Sequence, residues 1–211
     1  MTTAVRHIAC FCETTFDADL PTSADMAADP EIEQLILDGS FMAVTCPGCG
    51  RKLTPEYPFR LTGVNAFGDL FLVPEADRGA YERGTLDYDF GSPNRIVIGF
   101  SELQEKVLIA SLLLDDRVIE IMKYYLLTGS TPAAEGGQER DVGIVYRGME
   151  SGRHLFNIIG MKEGEVGVAR LANELYGKIA SDVETRVKDD PFQDFCTLPW
   201  VSLRRITGAG R

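Results

Sequence analysis

Residues 41–54 read FMAVTCPGCGRKLT. Phe41–Thr45 is a strand-forming run, Cys46-Pro47-Gly48-Cys49 followed by Gly50 makes a tight turn, and Arg51–Thr54 returns as a second strand. Two thiols on one such turn supply half of a tetrahedral sulfur site. The other half lies upstream in Cys10-Phe11-Cys12, with 33 residues, Glu13 to Thr45, between the pairs. Zn²⁺ takes four ligands and favours thiolates. The pattern therefore predicts a Zn(Cys)₄ site from Cys10, Cys12, Cys46 and Cys49 that ties the N-terminal strand to the later hairpin and contributes to folding. A closed sphere of four sulfurs leaves no position for water, which argues against catalysis at the metal. His7, three residues before Cys10, is an alternative ligand; the competing reading makes it an exposed strand residue.

Outward from the thiols, Val5–Ala9 leads into the first pair as a candidate strand. Asp29-Pro30-Glu31 opens a helix with Asp29 as N-cap and Pro30 in the first position. Ile32, Leu35 and Ile36 then share a face, and Gly39 closes the helix. Gly63–Val73 and Arg95–Gly99 read as strands, with the charged, turn-rich stretch Glu75–Phe90 between them. Ser101–Thr128 is the strongest helical stretch. Ser101 and Gln104 fit a capping box, Leu103, Val107, Ala110 and Leu114 form a stripe, and Asp115-Asp116 marks a break that caps a second helix. Gly129–Gln138 reads as a linker. Val142–Tyr146 and His154–Ile159 read as a hairpin, Gly164–Lys188 as a third helical region, and Leu198–Ile206 as a last strand.

The 211 residues carry a net charge of −11, and the first sixty alone hold nine acids against four bases. Binding a polyphosphate backbone relies on Lys and Arg, so this balance disfavours nucleic acid as a partner. Arg204, Arg205 and Arg211 give the tail only a local positive charge. The N-terminus lacks an apolar stretch of signal-peptide length, and the run Val107–Leu114 is too short to span a bilayer. The expected compartment is the cytoplasm, where thiols stay reduced and favour metal over disulfides. Cys196, beside Phe195 and near Trp200, reads as a buried inert thiol.

Cys10, Cys12 and Phe16, followed by the stretch DPEIEQLILDGSFMAVTCPGCG, resemble the CpXC domain of bacteria and archaea, which is named for two C-P-x-C motifs a few tens of residues apart. Cys46-Pro47-Gly48-Cys49 matches the second motif in full. The first pair lacks the proline and is one residue shorter. The resemblance covers residues 5–60 well and extends less specifically to VPEADRGAYERG and to ELQEKVLIASLLLDDRVIEIMKYYLL. It implies four cysteine metal ligands and supplies no activity.

The fold expected is α+β. A zinc-ribbon-like N-terminal lobe with an inserted helix, residues 1–60, packs on a larger body of mixed or antiparallel strands and long helices, residues 61–211, across a soft boundary. The chain has no G-x-S-x-G, H-E-x-x-H, P-loop or strand-borne G-x-G-x-x-G. That favours a non-enzymatic zinc-binding protein whose metal stabilises a module for a protein partner or a homo-oligomer. The alternative is a thiol redox switch in which oxidation of both Cys pairs releases zinc; its cysteine pattern resembles the zinc centre of redox-regulated chaperone holdases. A weaker reading places hydrolysis at Asp115, Asp116 and Glu120 or at Glu102 and Glu105, acids expected on a solvated face or in a cap. Asp87, Asp89 and Glu82, beside Tyr81 and Tyr88, form a loop suited at most to weak cation binding. His154 reads as a satisfied or solvated histidine.

Overall fold

The computed structural model describes residues 1–130, 142–161 and 164–207. The chain divides into two compact units, Met1–Val107 and Leu108–Arg211, and both mix strands with helices. The α+β expectation holds. The expected linker Gly129–Gln138 lies outside the described residues from position 131 onward.

In the first unit, β1 (Thr2–Ala9) and β2 (Thr15–Asp25) form a long antiparallel hairpin. The chain then runs through α1 (Glu31–Leu37), β3 (Val44–Thr45) and β4 (Lys52–Leu53) before returning to the sheet. β5 (Phe59–Val64), β6 (Gly68–Val73) and β7 (Arg95–Ile98) complete five strands in the order β1-β2-β5-β6-β7. β2 pairs with β5 in parallel through only Ser23–Asp25, and β6 with β7 in parallel, while β1/β2 and β5/β6 are antiparallel. Leu61, Leu70, Val73, Val97 and Ile98 are fully buried, as an inner sheet requires. At about 25 cal/mol per Å², burying one such side chain contributes roughly 1.5–3 kcal/mol.

Local chemistry explains α1. Glu31 and Glu33 complement its positive end, and Ile32 and Ile36 face the core. Gly39, at φ +74°, ends it: the Ser40 N–H donates to the Leu35 carbonyl and the Gly39 N–H to the Ile36 carbonyl, a Schellman closure. Two expectations fail here. Asp29 makes no side-chain cap, because the helix opens at Glu31 with Pro30 in the flanking position, and Leu35 is exposed. Gln104 is no capping-box residue. Its amide spans to α1 and donates to the Ile36 carbonyl at 2.9 Å, as a second donor beside the Gly39 N–H.

The single strand expected over Gly63–Val73 is instead the end of β5, a turn and β6. β5 and β6 are a hairpin turning at Asn65–Phe67, with Ala66 at φ +65°. Phe41–Ala43 is a turn rather than strand, with Met42 at φ +60°, so β3 keeps only two residues. The stretch Glu75–Phe90 contains a 3₁₀ turn (Glu75–Asp77) and α2 (Arg78–Glu82). Arg78 is buried and pairs with Glu75 at 2.5 Å and Glu102 at 3.5 Å.

The expected break in Ser101–Thr128 is present. α3 (Gly99–Ser111) ends in a second Schellman closure with Leu113 at φ +54°, and α4 (Asp116–Ser130) starts after Asp115, whose carboxylate accepts the Arg117 N–H at 2.9 Å. The acids nearby are not on a solvated face. Asp116, Glu120, Glu102 and Glu105 are all buried. Glu120 pairs with buried Lys123 at 2.9 Å and accepts the Leu203 N–H at 2.8 Å, while Glu102 accepts the Ile98 N–H at 2.9 Å. Buried charge persists only when paired in this way.

The second unit contains β8 (Gly143–Glu150), β9 (Arg153–Ile159) and β10 (Val166–Ala172), an antiparallel sheet in the order β10-β9-β8. Ser151 and Gly152, both at positive φ, make the two-residue turn of the β8/β9 hairpin. The third helical region is therefore half strand: Val166–Ala172 pairs along β9, and its alternation of exposed and half-buried residues has period two. The helices that follow are α5 (Asn173–Ala180), α6 (Val183–Arg186), α7 (Phe192–Cys196) and α8 (Arg204–Thr207). Leu198–Ile206 is not a strand. Trp200, Val201 and Leu203 are buried, and the segment's N–H groups find partners outside any ladder, Ser202 donating to the Phe195 carbonyl and Leu203 to the Glu120 carboxylate.

Candidate metal centre

Two turns carry the thiols. β1 ends at Ala9, and the chain folds back at once: the Cys10 N–H donates to the Thr14 carbonyl and the Glu13 N–H to the Cys10 carbonyl, both at 2.9 Å. In the β3/β4 turn, the Cys46 N–H donates to the Arg51 carbonyl and the Gly50 N–H to the Cys46 carbonyl, again at 2.9 Å. Each turn holds its two sulfurs on fixed backbone.

The turns meet. All four Sγ atoms of Cys10, Cys12, Cys46 and Cys49 lie within 4.8 Å of one another, a group that could hold a metal ion. Cys10 Sγ is 3.7 Å from Cys49 Sγ, and Cys12 Sγ is 3.7 Å from Cys46 Sγ. A disulfide needs about 2.05 Å, so these are free thiols. Cys10 and Cys46 are buried, while Cys12 and Cys49 are exposed. Gly48 makes the approach possible, because a side chain there would collide with Thr14 of the opposite turn.

The turns also set the protonation of their thiols. The Thr14 hydroxyl, 3.3 Å from Cys12 Sγ, and then the Thr14 N–H lower the Cys12 thiol to about 6. At Cys49 the Arg51 N–H pulls downward, but the Cys12 sulfur and burial outweigh it and push the thiol up to about 11. Four adjacent sulfurs cannot all ionise without a cation between them, since like charges at this spacing repel. Phe11 is 86% exposed at the tip of the first turn, with the Arg51 guanidinium 5.6 Å from its ring centre.

His7 stays apart from this group. It sits on β1 directly across from Asp17 and its Nδ1 lies 2.9 Å from that carboxylate, with both side chains exposed. His154 is fully buried between the Tyr146 hydroxyl and the Asn173 amide oxygen, each 3.1 Å away, and stacks on Tyr176. Burial lowers its pKa and outweighs the Asn173 bond. Tyr88 donates to Asp77 at 2.5 Å. Cys196 is buried, with its sulfur 3.8 Å from the Arg117 carbonyl. Arg205 folds back onto the Thr197 and Trp200 carbonyls, and Arg211 lies outside the described residues. Thr14 is the functional neighbour that the sequence did not single out, since nothing in its local pattern reports a partner 34 positions away.

No helix among the described residues is long and apolar enough to cross a membrane. Among curated proteins, the chain is similar to an "Uncharacterized protein" of Treponema pallidum (strain Nichols), 28% identical over 140 residues that make up 60% of this chain and 64% of that protein's length. No solved structure matches. The profile of the CpXC family, described as "CpXC protein", matches residues 8–123, a span that includes both thiol turns, the whole first-unit sheet from Ile8 onward and the first half of α4. With more than half of its length inside that match, the chain belongs to the CpXC family.

Proposed function

We propose that the protein is a non-enzymatic zinc-binding protein whose Cys10, Cys12, Cys46 and Cys49 thiolates hold one structural Zn²⁺. One observation carries this reading: two inter-turn Sγ–Sγ distances of 3.7 Å within a four-sulfur group. A tetrahedron with Zn–S bonds of about 2.3 Å has edges of about 3.8 Å. Thiolate sulfur selects a soft or borderline cation over Mg²⁺ or Ca²⁺. Zinc also neutralises the charge that four crowded thiolates would otherwise build up.

The metal joins two turns far apart in sequence, so its role is to brace the first unit. The braced unit serves docking onto a protein partner or a second copy, in the cytoplasm, where thiols stay reduced. The charge of −11 makes nucleic acid the poorer choice of partner. Exposure of Cys12 and Cys49 supports a second reading, a thiol switch in which oxidation releases the metal. Elemental analysis of protein purified without chelators tests the zinc, with one equivalent per chain expected; a metal-free, fully reduced and folded chain would end this reading. The same measurement after peroxide separates a permanent brace from a switch, and a pull-down from host cells identifies the partner.

A further inference from the structure

Each exposed thiol of the centre has a buried thiol of the opposite turn as its neighbour. Cys12 lies 3.7 Å from Cys46, and Cys49 lies 3.7 Å from Cys10. Cys46 and Cys10 are 1% and 6% exposed, whereas Cys12 and Cys49 are open to solvent. We propose that a hydroperoxide converts the centre into two inter-turn disulfides, Cys10–Cys49 and Cys12–Cys46, so that oxidation staples the β1/β2 turn to the β3/β4 turn. This rests on the reading of the four thiols as one ligand set and specifies how that set is regulated.

The chemistry follows from access and distance. Hydroperoxide reaches the solvent-facing sulfur of Cys12 or Cys49 first, each a thiolate when it serves as a metal ligand, and transfers one oxygen to it, giving a sulfenic acid and releasing hydroxide. The buried thiolate across the turn then attacks that sulfur, forms the S–S bond and expels a second hydroxide. Each disulfide passes two electrons to one peroxide O–O bond. Two peroxide equivalents thus consume all four thiolates, release four hydroxides and leave no ligand for a dication. Closing each bond moves the sulfurs from 3.7 Å to about 2.05 Å.

The outcome differs from that of a switch that pairs thiols within each turn. Disulfides Cys10–Cys12 and Cys46–Cys49 would leave the turns separate once the metal had gone. Inter-turn disulfides close segments of 39 and 34 residues and replace the metal's link with a covalent one. The oxidised, metal-free unit therefore keeps its turns together, and its thermal midpoint lies above that of the reduced, metal-free chain.

The test treats the full-length protein with hydrogen peroxide, blocks the remaining thiols and maps the linkages by mass spectrometry. Trypsin is unsuitable because no Lys or Arg lies between His7 and Gly50. Chymotryptic cleavage after Phe11 separates Cys10 from Cys12, and fragmentation within Cys46–Cys49 separates the other two. Titratable thiols in denaturant fall from five to one, leaving Cys196, and the linked pairs are Cys10–Cys49 and Cys12–Cys46. Linkage within each turn, the pairs Cys10–Cys46 and Cys12–Cys49, or sulfinic and sulfonic acids without disulfides would each overturn the proposal. The Cys12→Ser protein forms only Cys10–Cys49, and capture of Cys46 by another thiol in that variant counts equally against it. Zinc content before treatment decides the metal reading separately. A zinc-free chain that forms both inter-turn bonds removes the zinc and keeps the staple, and a zinc-loaded chain that pairs within its turns does the reverse.

Discussion

The Thr14 side chain fills the space that a β-carbon on Gly48 would need. Such a carbon would stand 3.1 Å from Thr14 Cβ and 3.2 Å from Thr14 Cγ2, and closer still to the hydroxyl oxygen. Thr14 belongs to the first thiol turn and Gly48 to the second, so the two turns interlock at a point where no cysteine stands.

Gly48→Ala must force the turns apart. Overpacking of this kind costs about 1–3 kcal/mol, which at about 1.4 kcal/mol per tenfold is a loss of roughly tenfold to a hundredfold in metal affinity. Competition with a chromophoric chelator measures it. Thr14→Gly in the same chain should recover most of the loss. Affinity unchanged in Gly48→Ala alone would show that the interlock does not position the sulfurs.

Cys49→Ser and Cys196→Ser separate ligand from packing. The first removes one sulfur from the four-sulfur group and should lose most bound metal and unfold the N-terminal region, seen by elemental analysis and circular dichroism. The second alters a buried thiol against the Arg117 carbonyl and should leave metal content at its original level. Equal metal content in the two variants would discard the ligand assignment.

Leu113→Gly should stabilise the protein. Leu113 is 72% exposed and sits in the left-handed region at the end of α3, where a side chain costs about 1–2 kcal/mol that glycine does not incur. Glycine's extra freedom in the unfolded chain offsets part of this, leaving a gain of about 0.5–1 kcal/mol. Urea unfolding would register it as a higher midpoint, and a lower midpoint would mean that the Leu113 side chain has a stabilising contact.

His154 gives stability a pH dependence of known sign. Its pKa is lowered in the folded state by burial, so the unfolded chain takes up a proton first as pH falls below the ordinary value near 6.5. Stability is then full above about pH 6.5, declines as pH falls from there towards the lower folded value, and levels off beneath it. Among the described residues, the groups bonded to the ring or stacked on it are Tyr146, Asn173 and Tyr176, none of them an acid or a base that is charged near neutrality. Denaturant unfolding at pH 7.5 and pH 5 should show a smaller pH effect in His154→Gln than in the original protein. Identical effects in both would remove His154 from the account.

The thiol centre was legible because cysteine spacing reports a turn and four sulfurs report a shared cation. The helix break before Asp115 was legible from its paired acids. Tertiary partners were not. Gln104 looked like a capping residue of its own helix because its neighbours say nothing of the Ile36 carbonyl. Val168 and Leu171 fit a helical stripe, yet pairing with β9 turned the segment into strand, where Val166 and Val168 stay exposed. Glu120 looked solvated because the Leu203 N–H that it accepts lies 83 positions away and arrives through the fold. Gly63–Val73 hid a hairpin because the left-handed position within the turn is held by Ala66, while the positive-φ glycines Gly63 and Gly68 stand in the paired strands on either side.

The three-residue pairing of β2 with β5 makes the first hairpin a lever. β1 is an edge strand, and among the described residues its partner pairs with the rest of the sheet only through Ser23–Asp25. The opposite tip, about eight residues or roughly 26 Å away at 3.3 Å per residue, carries Cys10 and Cys12. A fastening at the far end of an arm resists swinging with the greatest mechanical advantage. Four sulfurs placed there restrain the hairpin more firmly than the same four would beside the hinge.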